Sequence, residues 1–308
     1  MDRLDAMQVF VAVLDCGSLA GAARRLGRSP AAVTRAVAAL ERRLGARLLH
    51  RTTRVVKATA AGERFAAASR RILAELDAAA AEAAGEATAP RGELVVAAPL
   101  VFGTRILRPL LDAFLDGQPA VRARLLLQDR PVDLVEDGID VAQRIARLPD
   151  SGLIATRVGE VRRLVCAAPA YLARRPAPAS PAELAGHDCI LPSGAEAAAR
   201  WSFEPPGRPP ETVRLQPRLA VDGADAALAS AVEGRGITRI LSYQAEREIA
   251  SGRLAVILRD FEPPPVPVQL VVPESRRGVA RVRAFLDFAA PRLRRELARI
   301  ARAVAGAA

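Results

Sequence analysis

The chain has 308 residues, a net charge of +11 and 51% hydrophobic residues. That apolar share excludes disorder as the default, and the length exceeds the roughly 250 residues one core normally supports. No run of about 18 uncharged apolar residues exists, which argues against a membrane span, and Met1–Asp5 is acidic with no long apolar stretch after it, so no signal peptide is expected. Cys16, Cys166 and Cys189 are far apart and odd in number, which fits a reducing cytoplasm better than a disulfide scaffold. The charge is uneven: residues 1–71 hold 14 basic and 5 acidic side chains, the remainder 31 and 29. A GC-rich genome explains Arg in place of Lys, since Lys57 is the only lysine, but not the scarcity of acids at one end. A nucleic-acid or anionic-surface module joined to a near-neutral one has this pattern.

Taken in chain order, Leu4, Met7, Val9, Phe10, Val13 and Leu14 recur at helical spacing and predict a helix over Leu4–Asp15. Ser18 caps a second, short helix through Leu26, and Gly27 turns the chain. Ser29-Pro30 is a cap followed by a residue with preset φ, so a third helix starts there. Val33, Val37, Leu40 and Leu44 form its apolar face, and Gly45 ends it. Two helices joined by a short turn containing Gly make a helix-turn-helix. The free face of the second carries Ser29, Ala31, Ala32, Thr34, Arg35, Ala38 and Arg42, small enough at its start to enter a major groove. Arg47–His50 and Val55–Ala58 flank Arg51-Thr52-Thr53-Arg54, a short hairpin with arginines at its tip for phosphates or a minor groove. The candidate DNA-binding set is Arg28, Ser29, Pro30, Ala31, Thr34, Arg35, Arg51 and Arg54.

Residues 1–60 resemble the winged helix-turn-helix of LysR-type transcriptional regulators. The resemblance is carried by Phe10, Gly17-Ser18-Leu19, Ala22-Ala23, Leu26, Ser29, Ala32-Val33-Thr34, Leu40-Glu41, Leu44-Gly45, Leu48-Leu49, Arg51-Thr52-Thr53-Arg54 and Thr59-Ala60-Ala61-Gly62. Thr34 where Ser is commoner, and Ala58 where Leu usually stands, depart mildly from the pattern.

Thr59 caps a predicted helix from Ala60 to about Ala84, with Phe65, Ser69, Ile72, Leu76, Ala79 and Ala83 as a heptad seam. The resemblance implies dimerisation through this helix, with Phe65, Ile72 and Leu76 at the contact, and hence pseudo-palindromic duplex sites. "GEATAPRG", residues 85–92, reads as a hinge.

From Glu93 apolar β-runs alternate with short helical stretches, predicting an α/β fold with mostly parallel sheet. The expected strands are Leu94–Ala98, Val121–Leu127, Ile139–Ile145, Leu153–Val158, Arg162–Ala168, Val213–Val221, Ile237–Leu241, Leu254–Leu258 and Val266–Val272. The expected helices are Arg105–Asp116, Asp133–Glu136, Asp225–Glu233, Tyr243–Ala250 and Arg276–Arg302. The stretches beginning at Asp137, Cys166 and Val221 resemble the LysR effector-binding domain, which looks like a two-lobed periplasmic binding protein. The expected organisation is therefore multi-domain: an all-α winged helix-turn-helix (1–59), a linker helix (60–88) and an α/β two-lobed periplasmic-binding-protein-like domain (89–308). Lobe one would take about 93–159 plus 266–293, and lobe two about 160–265.

In such sheets ligands sit beyond the carboxyl ends of strands. The candidate effector contacts are Val101, Phe102, Gly103 and Thr104, Asp222 and Gly223 opposite them, Arg144 for a carboxylate, and Ser193 and Thr238. Arg239 in "GITRIL" departs from the more apolar family pattern. His50 and His187 are too far apart for a catalytic set or a metal site, and no phosphate loop is present, so no catalytic residue, metal or cofactor is expected. The expected partners are double-stranded DNA, a small organic effector such as a carboxylate or an aromatic compound, a second copy of the chain or a tetramer of it, and RNA polymerase. The alternative is a cytoplasmic small-molecule binding protein or enzyme on the same lobed scaffold. A ligand-free architectural regulator is a third reading.

Overall fold

The computed structural model describes residues 2–51, 56–83, 89–130, 132–148, 152–192, 199–204, 207 and 209–306; for Arg51 and several residues between 71 and 83 it describes the backbone alone. The chain divides into two compact units, with the main break at Gly92.

The first unit contains α1 (Arg3–Asp15), α2 (Leu19–Leu26), α3 (Pro30–Leu44), β1 (Leu49–Arg51), β2 (Val56–Ala58) and α4 (Ala60–Ala83). The caps act as their chemistry dictates. Ser18 Oγ accepts the Gly21 N–H at 3.0 Å and Ser29 Oγ the Ala32 N–H at 3.2 Å. Gly27 and Gly45 end α2 and α3 in the left-handed conformation that glycine adopts without strain. Val9, Phe10, Val13, Ala22, Ala23, Val33, Val37 and Leu40 form one core. Leu44 was expected on that core, but the core ends one turn earlier at Leu40 and Leu44 is exposed.

Among the described residues β1 and β2 pair antiparallel, with His50 opposite Lys57, and β1 starts at Leu49 rather than at the expected Arg47. Glu41, the one acid between Ala22 and Arg54, accepts the Leu48 and Leu49 N–H groups at 2.9 and 3.2 Å and so ties the hairpin to α3. Thr59 Oγ1 accepts the Gly62 N–H at 2.9 Å and donates to the Arg47 carbonyl at 2.8 Å. Gly62 presses on the Leu48 carbonyl so closely that a Cβ there would sit 2.0 Å from the oxygen.

The seam of α4 is divided. Phe65 packs its ring 5.7 Å from that of Phe10, and Ser69 is buried, so this first part is used within the chain rather than left for a partner. Ile72 is half-buried, and Leu76 is 45% exposed. The side chains of Ala79 and Ala83 lie outside the described residues.

The second unit runs β3 (Gly92–Ala98), α5 (Leu100–Phe102), a π turn (Gly103–Leu107), α6 (Arg108–Asp116), β4 (Val121–Leu127), β5 (Val141–Ile145), β6 (Leu153–Val161) and β7 (Arg163–Ala167). It continues with α7 (Pro169–Leu172), β8 (Cys189–Pro192), β9 (Arg200–Phe203), β10 (Glu211–Arg214), β11 (Pro217–Val221), α8 (Ala224–Val232), β12 (Ile237–Leu241), α9 (Ser242–Ala250), β13 (Ala255–Ile257), β14 (Val266–Pro273) and α10 (Ala280–Gly306). Two five-stranded sheets result, ordered β4-β3-β5-β14-β6 and β11-β8-β12-β7-β13, with β9 and β10 as a separate pair.

Both sheets are mixed, which corrects the expectation of mostly parallel pairing. In the first, β3 and β5 are parallel while β14 runs antiparallel to β5 and β6. In the second, β8 is parallel to β11 and β12 while β7 is antiparallel to β12 and β13. The cause is the crossing. The chain passes from β6 in one sheet to β7 in the other through Arg162, without a helical crossover, so the rule that makes βαβ strands parallel does not apply there. Arg162 fixes the crossing by a two-pronged pair with Glu262, at 2.7 Å for each prong, just before the chain returns as β14.

Three further differences have local causes. Val213–Val221 is two strands, separated by a turn-in at buried Leu215 and restarted at Pro217, which has no N–H for a ladder. Asp133–Glu136 is too short to nucleate a helix and forms turns ending at Gly138, φ +66. The helix expected from Arg105 starts at Leu100 and widens into the π turn just before Pro109, whose ring would crowd the Arg105 carbonyl in a regular helix.

Candidate functional site

Two regions carry candidate function, one in each unit. In the first, Arg28, Ser29, Pro30, Ala31 and Arg35 are exposed and Thr34 is half-exposed, so the leading end of α3 is open to solvent. Arg42 and Arg43 continue the basic surface toward its end. The Thr34 hydroxyl donates to the Pro30 carbonyl at 2.9 Å, leaving its lone pairs as acceptors. Arg28 is not a free cation: it forks onto Asp5 of α1, with one contact at 2.9 Å, and this guanidinium holds the Asp5 carboxyl below the usual carboxylate range. Arg54 and the side chain of Arg51 lie outside the described residues.

In the second unit a cleft of about 670 Å³ opens between the two sheets. Most of its walls come from the carboxyl ends of strands, as expected for an α/β ligand site, while Arg163 opens β7 and Trp201 lies near the start of β9. Asp129 and Arg130 follow β4 and Ile145 ends β5; from the other lobe come Arg163, Pro192, Trp201, Asp222, Gly223, Arg239 and Gln244. Asp222 and Gly223, both expected as effector contacts, lie on the wall of this cleft.

Two of the expected contacts point elsewhere. Thr238 is fully buried and its hydroxyl donates to the Ile190 carbonyl at 3.0 Å. Arg144 donates to the Val132 carbonyl at 2.7 Å. In both cases the next residue, Arg239 or Ile145, lines the cleft, because successive strand side chains face opposite sides. Val101, Phe102 and Gly103 are also buried. Phe102 meets Tyr243 edge-on at 5.3 Å, and Asp129 caps the helix start by accepting the Leu100 N–H at 3.1 Å. Thr104 is exposed, with its hydroxyl on the Leu100 carbonyl. Ser193 lies outside the described residues. Arg105 joins the lobes, donating to the Gln244 carbonyl at 2.9 Å and to Asp225 at 2.6 Å.

The reading of the sequence missed Asp129, Arg130, Arg163, Trp201 and Gln244 as cleft residues. Arg239 was noticeable as an arginine within an apolar strand. Its guanidinium lies 5.0 Å from the Trp201 ring centre and donates to the Ser202 carbonyl at 3.1 Å. Burial, then the charge of Arg163, pushes its pKa down to about 10; partial desolvation, then Arg147, lowers that of Arg163.

A helix-turn-helix whose second helix is capped, basic and open, with a basic hairpin behind it, together with a two-lobed unit enclosing a polar cleft, defines a ligand-responsive DNA-binding regulator. Residues 4–63 match the family of bacterial regulatory helix-turn-helix proteins of the lysR type, and residues 87–294 match the LysR substrate binding domain. The chain is 34% identical over 262 residues to LtrA of Klebsiella pneumoniae, a probable HTH-type transcriptional regulator, covering 85% of this chain and 84% of that protein. It is 33% identical to the HTH-type transcriptional regulator PtxR of Pseudomonas aeruginosa, covering 97% of this chain and 96% of the other. The structure of CrgA, a LysR-type transcriptional regulator from Neisseria meningitidis, superposes with a TM-score of 0.61 at 30% identity, over 95% of this chain and 99% of that one. The chain belongs to the LysR family of transcriptional regulators. These matches give the alternative of a binding protein or enzyme no support.

Proposed function

We propose that the protein is a cytoplasmic regulator that reads a pseudo-palindromic promoter site as a two-fold dimer, joined through α4 around Ile72 and Leu76, with a tetramer as the larger assembly. Ser29, Pro30, Ala31 and Thr34 enter the major groove and Arg35 reads a base edge, while Arg51 and Arg54 meet phosphates. A small organic effector sits in the lobe cleft against Asp222 and Gly223. It acts only by binding one lobe arrangement better than another, which changes the spacing of the two reading helices and with it DNA bending or polymerase contact. The observation that supports this most is the open leading end of α3, capped by Ser29 and braced by Glu41 against the hairpin.

The test is binding of the full chain to its own upstream duplex at several salt concentrations. Arg51→Ala and Arg54→Ala should weaken all duplexes alike and each lower the salt slope by about 1. Arg35→Ala should relax sequence preference in a binding-site selection. Wild-type slopes in the first two variants and wild-type preference in the third would remove these roles. A wild-type chain with no preference for the upstream duplex over a scrambled one would remove the reading itself.

A further inference from the structure

The cleft wall of the second lobe carries two like charges side by side. β7 and β12 pair antiparallel with Arg239 opposite Val165 and Leu241 opposite Arg163. Arg163 and Arg239 are therefore diagonal neighbours on one face, about 7–8 Å apart at their backbones. Both line the cleft, with Arg130 on the facing lobe. Among the described residues no carboxylate pairs with either. Asp129, the acid on the facing wall, is engaged at the Leu100 N–H, and Asp222 is exposed at the rim. The lowered pKa values agree: burial is the larger cause of each and a neighbouring arginine the smaller, with no acid raising either.

The Arg239 head is also placed rather than loose. Trp201 lies against it, Phe203 has its ring centre 6.0 Å away, and the Ser202 carbonyl takes one N–H. A guanidinium has five N–H donors, so most remain for something else. A protein that places two cations together, partly buries one of them and leaves both without a counter-charge has built a receptor for an anion. The planar fork of arginine selects carboxylate oxygens in particular.

Resting on the proposal that the cleft is the effector site, we infer that the effector is an organic carboxylate whose charged end is held by Arg163 and Arg239. The geometry places recognition on β7 and β12, with the rest of the ligand extending toward Ile145 and Gln244.

The experiment is thermal unfolding of the full chain with sodium acetate, benzoate, succinate and phthalate, each set against its neutral amide, at an ionic strength held constant with sodium chloride. The wild type should gain melting temperature saturably with at least one carboxylate and not with the matching amide. Arg163→Gln and Arg239→Gln should each raise the apparent Kd for that carboxylate about tenfold or more. Without ligand, Arg163→Gln should not unfold below the wild type, because it relieves a like-charge contact, whereas Arg239→Gln also gives up its contacts with Trp201 and the Ser202 carbonyl. Arg163→Gln guards against a folding artefact, since that side chain is exposed and has no bonded partner among the described residues. Equal protection by amides, undiminished protection of the variants, no protection by any of the four carboxylates, or a ligand-free Arg163→Gln that melts lower would each overturn the assignment. The regulator reading fails separately. A chain that prefers its upstream duplex but is protected only by the amides loses the carboxylate assignment alone, whereas one with no duplex preference loses the regulator reading whatever the salts do.

Discussion

Gly62→Ala sets local propensity against packing. At the third position of α4 an alanine should help, since Ala exceeds Gly by about 1 kcal/mol in a helix. The structure reverses the sign. The new Cβ would fall 2.0 Å from the Leu48 oxygen, 2.9 Å from its carbon and 3.2 Å from its Cα, all of them backbone atoms. That carbonyl also accepts the Thr59 N–H at 2.9 Å, and the Leu48 N–H is held by Glu41. Opening a normal contact requires a shift of about 1 Å, with an overpacking cost of about 1–3 kcal/mol and about 1 kcal/mol more for the strained hydrogen bond. Setting the propensity gain against these leaves about 2 kcal/mol of destabilisation. Amide hydrogen exchange of α1–α3 in the full chain should therefore lose protection by about 10–30-fold, while the β-sheets of the second unit keep theirs. Unchanged or increased protection of α1–α3 would show that α4 and the hairpin separate without cost, and the reasoning would be wrong.

Other substitutions probe other contacts. Asp5→Asn frees Arg28 from its partner, and the salt slope of duplex binding should steepen by about 0.9; an unaltered slope would leave Arg28 out of the DNA contact. Leu76→Glu removes a part-exposed apolar side chain worth about 1.4 kcal/mol per copy. The loss occurs twice across a two-fold contact, so sedimentation should show the dimer weakened about 100-fold or more; unchanged association would move the interface elsewhere. Gln143→Leu removes a buried amide whose nitrogen and oxygen both lack partners among the described residues, and should raise the melting temperature by a few degrees; a lower one would reveal an unrecognised partner. Cys166 and Cys189, pushed up to about 12 by burial, hold almost no thiolate at pH 7, so peroxide should leave both free thiols and duplex affinity intact. Loss of those thiols on the minute scale would instead point to oxidant sensing by this pair.

The first unit was legible because its signals are local. Ser18, Ser29, Gly27 and Gly45 each act on atoms within a few residues, and the structure uses each as its chemistry suggests. Glu41 was visible as a lone acid, but its work spans seven residues to Leu48, and nothing local announces that. The cleft was harder for a geometric reason. A strand can be located from composition, yet which of its alternating faces turns to the ligand depends on its neighbours. Hence Arg144 and Thr238 were each one residue from the side chain that lines the cleft. Trp201 could not be found at all, since it arrives on β9, outside both five-stranded sheets. The mixed sheets were hidden likewise, because the crossing at Arg162 has no motif of its own.

Trp201 is the only tryptophan in the chain, and it lies against Arg239. Indole emission is sensitive to a charge held at its face, so the molecule contains its own optical probe of the space between the lobes. A ligand that draws the guanidinium away, or a hinge motion that exposes the ring, would alter the colour or brightness of that one signal. Occupancy could thus be followed on unlabelled protein, with the remainder of the polypeptide silent at that wavelength.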